Sequence, residues 1–269
     1  MINTVRTKVF ETANKFDIQI GYSGHVLAGP EWSCDDNSTP YSKLYYIIDG
    51  KGYLLYDGRR IEMKPGNVYF IPYDLKHGLL CEDRLEKMYF HFTLTDSVGV
   101  DLLDGTEGIY SSAIDMQDIM LIKKLYFADD LPSWLMLKAM IYKSAWQFIE
   151  KTGLDGGDYA KYSEKTRAAM RYIKSNLSME LSVDKIASHL SMSTSALAKR
   201  FLAETDISVG KFIDRQVLIK ASQLLISSDT PIGTISDSLG FCDQFYFARK
   251  FKNYYHITPT VYRKQHRKI

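Results

Sequence analysis

The sequence predicts two domains of different class. The N-terminal domain is all-β, a barrel or sandwich followed by helices. The C-terminal domain is all-α and holds two helix-turn-helix units. Three observations predict this. Runs of β-branched and aromatic residues, cut by glycine-containing turn signals, fill the first 110 or so positions. The apolar period then changes to a helical one near residue 115. Finally, a stretch at about 182–205 recurs at about 232–255. A length of 269 residues suits two domains.

The β region is clearest in "KLYYIIDGKGYLLYDGRRIEMKPGNVYFIPYD", where Asp49-Gly50, Asp57-Gly58 and Pro65-Gly66 separate the apolar runs. Asp-Gly between two such runs is a hairpin signal. "LEKMYFHFTL" adds a strand with Tyr89 and His91 on one face and Phe90 and Phe92 on the other.

From about 115 to 151, "DMQDIMLIKKLYF" and "LPSWLMLKAMIYKSAWQFIEK" place apolar residues at helical spacing, with Pro132 suited to a first turn. Met120, Leu121, Leu125, Leu135, Met136, Met140 and Trp146 are expected either to pack on the barrel or to form a dimer seam. These helices complete the first domain, residues 1–152. The breaker-rich "TGLDGGDYAKYS", residues 152–163, places a linker at 153–164, and residues 165–269 form the second domain.

The second domain reads as successive helices. "EKTRAAMRYIKSNL" is amphipathic. "SVDKIASHL" and "STSALAKRFLAET" each open on a serine suited to capping. "SVGKFIDRQVLIKASQLLISS" is a long helix, and "TPIGTISDSLG" and "QFYFARKFKNYY" follow it. The repeat is specific at the level of residues. Ile186-Ala187 matches Ile235-Ser236, and Leu190 matches Leu239. After one inserted residue, Leu197, Lys199 and Phe201 match Phe247, Arg249 and Phe251. A small residue sits where two helices cross closely, and large apolar ones fill the space between them. This is how a helix-turn-helix is built.

Charge separates the halves. Residues 1–160 hold 16 Lys+Arg against 23 Asp+Glu, a net of −7, and residues 161–269 hold 18 against 9, a net of +9. The second half should attract polyanions, and the first half should have another task. In a helix-turn-helix the N-terminal part of the second helix enters the major groove. The expected DNA contacts are therefore Thr194, Ser195, Ala198 and Lys199 in the first unit. In the second they are Asp243, Gln244, Phe245 and Arg249, with Lys252 on the same helix.

Other classes are disfavoured. The N-terminus lacks a signal-peptide core, and Lys138 and Lys143 break the longest apolar stretch, so no membrane partner is expected. Cys34, Cys81 and Cys242 are far apart, which fits reduced thiols in the cytoplasm. His77 and His91 stand without an H-x-H pair, so neither a metal nor a cofactor is expected, and no catalytic residues are assigned.

"IGTISDSLGFCDQFYFARKFKNYYHITPTVYR" resembles the signature of the AraC/XylS family of bacterial transcription regulators, and "LSVDKIASHLSMSTSALAKRFLAETDISVGKFI" is similar to that family's first helix-turn-helix. The resemblance covers residues 165–263. It implies two recognition helices entering successive major-groove segments, joined by the helix at 210–226. The family often has Gly where Asp206 stands, Ala where Ser236 stands and Arg where Val217 stands. "GKGYLL", "MKPGNVYFIP" and "KHGL" are similar, more loosely, to the family's cupin-like effector domain.

An all-β cupin-like barrel lined by aromatic and polar side chains is a natural pocket. Trp32, Tyr41, Tyr45, His77, Tyr89 and His91 are the expected effector contacts, since flat rings suit sugars and imidazoles and phenols bond hydroxyls. The expected protein is an effector-controlled regulator, an activator by resemblance. Its expected partners are double-stranded DNA, a carbohydrate, a second copy of the chain and RNA polymerase. Two alternatives are a metal-dependent cupin enzyme with an accessory nucleic-acid domain and an architectural DNA binder.

Overall fold

The computed structural model describes residues 13–14, 16–35, 37, 39, 41–73, 75–96, 101–103, 106–152 and 162–267. The expected linker at 153–164 and any arm within residues 1–20 therefore fall largely outside the described residues. The chain divides into two compact units. One holds Ile18–Leu94 with Leu103–Leu154, and the other is built on Asp155–Lys268 and includes Thr95–Leu102.

Among the described residues the first unit contains eight strands: β1 (Asp17–Ala28), β2 (Ser42–Gly50), β3 (Gly52–Tyr56), β4 (Arg59–Met63), β5 (Asn67–Ile71), β6 (Gly78–Leu80), β7 (Leu85–Thr95) and β8 (Tyr110–Ala113). They form a five-stranded sheet in the order β1-β7-β2-β5-β8 and a three-stranded sheet in the order β4-β3-β6. Asp57 and Gly58, both at positive φ, form the two-residue loop of the β3–β4 hairpin, with Tyr56 paired to Arg59. In Lys64-Pro65-Gly66-Asn67, proline precedes a glycine at φ 74 and the Asn67 N–H donates to the Lys64 carbonyl, the pattern of a type II turn.

Asp49-Gly50 corrects the hairpin expectation. β2 pairs with β5 and β7, whereas β3 pairs with β4 and β6, so the chain changes sheet at Gly50. A register shift between Ile47 and Asp49 bends β2 just before this corner, as a bulge does. Gly50 has φ 80, and a Cβ there would stand 2.2 Å from the Arg84 carbonyl oxygen, so a side chain is excluded.

The pleat sorts the large sheet into two faces. Lys43 pairs with His91, Tyr45 with Tyr89 and Ile47 with Lys87, which places all six on one face. Tyr45, Ile47, Tyr69 and Tyr89 from this face pack with Leu54, Met63 and Leu79 from the small sheet in one core. Phe90 and Phe92 lie on the opposite face, as the alternation in "LEKMYFHFTL" requires. That face is covered by two helices, α1 (Met116–Tyr126) and α2 (Leu131–Thr152). Asp115 caps α1 by accepting from the Gln117 N–H. Phe70 of the sheet stacks on Phe148 of α2, with ring centroids 5.3 Å apart. The helices bury Ile119, Ile122, Leu137, Ile141 and Phe148 and leave Met120, Leu121, Leu135, Met136 and Trp146 exposed.

The second unit is helical: α3 (Glu164–Ser175), α4 (Val183–His189), α5 (Thr194–Thr205), α6 (Val209–Ser227), α7 (Ile232–Ser238), α8 (Gln244–Tyr255) and α9 (Pro259–Arg267). Ser163, Ser182, Ser193, Ser208 and Asp243 each cap the helix that follows them. The repeat seen in the sequence is a structural one. Ile186, Ala187, Leu197 and Phe201 and their counterparts Ile235, Ser236, Phe247 and Phe251 are all buried, and all but Ser236 share one core cluster. The turn of each pair uses a positive φ, 52 at Ser191 and 74 at Gly240. Each second helix also ends in a left-handed residue, Asp206 at φ 59 and His256 at φ 60, so the left-handed conformation is kept without glycine. Val217, where the family often has Arg, is fully buried in this core.

Candidate nucleic-acid interface and effector site

The two recognition-type helices, α5 and α8, differ in how their first turns are held. At α5, Ser195, Ala198, Lys199 and Arg200 are exposed, and the Thr194 hydroxyl donates to Asp184 Oδ1 of α4 at 2.6 Å. Thr194 thus braces the two helices of its unit. At α8, Asp243 accepts from the Tyr246 N–H at 2.7 Å, which holds its carboxyl below the usual carboxylate range. Gln244 turns back toward α7, since a Cβ on Gly233 would stand 2.9 Å from its Oε1.

Phe245 is 87% exposed, far more than an ordinary helix side chain of that size. Arg249 is exposed, with its guanidinium 5.4 Å from the Tyr246 ring centroid, and Lys252 is exposed too. Lys250 behaves differently, because it donates to Asp214 of α6 at 2.6 Å and ties α8 to the long helix. The exposed cations of α8 are therefore a selected subset of those in its sequence.

The six expected effector contacts are brought into one network in the β unit. His91 lies among Tyr41, Tyr45 and Tyr89, with ring centroids 6.5, 6.0 and 5.4 Å away. Asn37 Nδ2 donates to the Tyr45 hydroxyl at 3.1 Å and lies 3.3 Å from His77 Nε2. His77 Nδ1 faces the Leu75 carbonyl at 2.8 Å. Burial, and then the nearby Lys43, push His77 well below the usual imidazole range, so the ring is neutral and offers Nε2 as an acceptor. Burial raises the Tyr45 and Tyr89 phenols above their ordinary range, so both remain protonated donors. Trp32 is half-buried and meets this group through Lys87.

Sequence reasoning missed Tyr22, Asn37, Lys43 and Lys87. Tyr22 lies 4.1 Å from His91 ring to ring, and Lys43 donates to the Asn37 carbonyl at 2.9 Å. The signal for both lysines was strand parity, since Lys43 is two residues from Tyr45 and Lys87 two from Tyr89. Among the described residues, no group of three or more His, Cys, Asp or Glu could hold a metal ion. No helix among them is long and apolar enough to cross a membrane.

Comparison with known proteins gives this arrangement a class. Residues 20–124 match the family described as AraC-like ligand binding domain, and residues 186–265 match the family described as helix-turn-helix domain. The chain is 25% identical over 263 residues to the Msm operon regulatory protein of Streptococcus mutans, with 94% of each chain covered. It is 23% identical over 265 residues to the raffinose operon transcriptional regulatory protein RafR of Pediococcus pentosaceus, covering 94% of this chain and 96% of that one. Its fold is similar to that of ToxT from Vibrio cholerae, with a TM-score of 0.57 at 14% identity over 93% of this chain and 98% of that one. The chain belongs to the AraC/XylS family of transcription regulators. It is a DNA-binding regulator with a ligand-binding domain.

Proposed function

We propose that the chain activates transcription in the cytoplasm in response to a carbohydrate held by the network around His91. The observation that carries this reading is the convergence of Trp32, Tyr41, Tyr45, His77, Tyr89 and His91 on one sheet interior, with flat rings beside neutral imidazole and phenol groups. The relatives named for the raffinose operon and, over shorter stretches, for the xylose and arabinose operons support a sugar. An effector shifts the regulator between states only through unequal affinity for them.

Ser195, Ala198, Lys199, Gln244, Phe245, Arg249 and Lys252 are assigned to the DNA-facing surface. Thr194 and Asp243 belong to the same surface and act by fixing the first turns of α5 and α8. The exposed row Met120, Leu121, Leu135, Met136 and Trp146 is assigned to a homodimer, which would add two DNA contacts through effective concentration. RNA polymerase is the partner that activation requires. The domains are taken as 1–152 and 165–269.

The test is DNA binding by the full chain to the region upstream of its own gene, at fixed salt, with and without a panel of sugars. Specific binding that shifts with one sugar is the expected result. Specific binding indifferent to every sugar would sink the carbohydrate reading.

A further inference from the structure

Lys87 is only 2% exposed, and it points into the β interior from the middle of a network of rings. Its ammonium nitrogen lies 3.2 Å from the Tyr45 ring centroid, 4.1 Å from that of Trp32 and 5.6 Å from that of Tyr89. Among the described residues it has no hydrogen-bond acceptor and no carboxylate partner. Lys43, fully buried on the same sheet face, adds a second cationic group near it.

The magnitudes do not balance for a purely structural role. Moving an ammonium into a protein interior costs several kcal/mol after relaxation. A cation over an aromatic face returns about 0.5–2 kcal/mol. A methionine would fill the same space without the desolvation cost. Burial and the neighbouring Lys43 also disfavour the charged form, and Lys87 is pushed well below the usual lysine range. Among the described residues nothing supplies Lys87 with a negative charge, and an anion brought to the nitrogen would let the lysine keep its proton.

We propose that Lys87 is the anchor for an acidic group on the effector, so that the ligand is a carbohydrate bearing a carboxylate or a phosphate. The proposal rests on the reading of this interior as the carbohydrate site and narrows it to a charged class. Lys87 takes the anionic head, while Asn37, His77 and Tyr45 are left to meet hydroxyls.

Titration calorimetry on the full chain tests this with matched head groups on one ring: D-galactose, D-galacturonate and galactose-1-phosphate, and the corresponding glucose series. The expected result is that one charged member binds at least about tenfold more tightly than its neutral parent. Lys87→Met and Lys87→Gln, confirmed as folded by thermal denaturation, should each abolish that advantage. The carboxylate and phosphate arms decide which acid is meant. A neutral parent that binds as tightly as its charged partners overturns the proposal and leaves the carbohydrate site standing. So does a charged ligand that keeps its affinity in both variants. If no member of either series binds, the carbohydrate reading itself falls, and the proposal falls with it.

Discussion

Ala187 and Ser236 occupy the same place in the two helix-turn-helix units, at 2% and 0% exposure, but only Ser236 carries a hydroxyl, and that hydroxyl has no hydrogen-bond partner among the described residues. The two units were built on one packing plan, and one copy tolerates a polar atom that the other lacks. Ser236→Ala should therefore raise stability by about 1 kcal/mol, because it removes a buried group that desolvates without compensation. Urea denaturation of the full chain checks this, and a loss of stability would show that the hydroxyl is bonded.

Asp96 is fully buried, and Arg167 of α3 donates to its Oδ2 at 2.8 Å. Removing one member of a buried pair withdraws a compensating charge from the other and is destabilising. Asp96→Ala should cost about 3 kcal/mol. Asp96→Ala with Arg167→Met should recover part of that loss, and a double-mutant cycle by denaturation measures the coupling.

Asp243 caps α8 and Arg249 lies on it, and the two separate two roles. Asp243→Ala should cost about 1 kcal/mol of stability through the lost cap. At full folding it should change sequence preference little. Arg249→Ala should leave stability within about 0.5 kcal/mol and weaken specific DNA binding by about 1–3 kcal/mol. Fluorescence anisotropy against operator and scrambled DNA at two salt concentrations distinguishes the two. Unchanged affinity for Arg249→Ala at both would remove it from the DNA face.

Lys87 gives a pH signature with a definite sign. Its folded-state affinity for the proton is depressed, so between its folded value and about 10.4 the unfolded chain binds the extra proton. Stability from this group must therefore rise with pH over that window. Lys87→Met should be more stable than the native chain at pH 7 by about 1–4 kcal/mol. The gap should narrow by up to about 1.4 kcal/mol per pH unit toward pH 10. Parallel stability curves for the two proteins would show that Lys87 is charged in the folded state.

Much of the helical unit was legible in the sequence because its signals are local and doubled. Serine caps, the period of 3.6 and the Ile186/Ile235 and Phe201/Phe251 matches each repeat the same information. The β unit was legible in its faces but not in its pairing. Asp49-Gly50 carries a hairpin signature, yet whether β3 folds back on β2 or crosses to another sheet depends on partners far along the chain. The network around His91 was legible through its aromatics, since rings and imidazoles mark candidate ligand contacts in a sequence. Lys43 and Lys87 were passed over because lysine is normally a surface residue, and only strand pairing with His91 and Ile47 turns them inward. Lys250 shows the converse, since its place beside Arg249 gives no hint of its bond to Asp214, 36 residues earlier.

The placing of Asp96 has a consequence for dissecting the protein. The helical unit takes its counter-ion for Arg167 from a stretch that directly follows β7, some seventy positions before α3. A fragment starting near residue 161 would contain every helix of the DNA-binding half and still lack that carboxylate. Its weakened DNA affinity would then report a missing counter-charge as well as the loss of the other half. Supplying Arg167→Met in the same fragment separates the two, because it removes that cation without restoring anything of the other half.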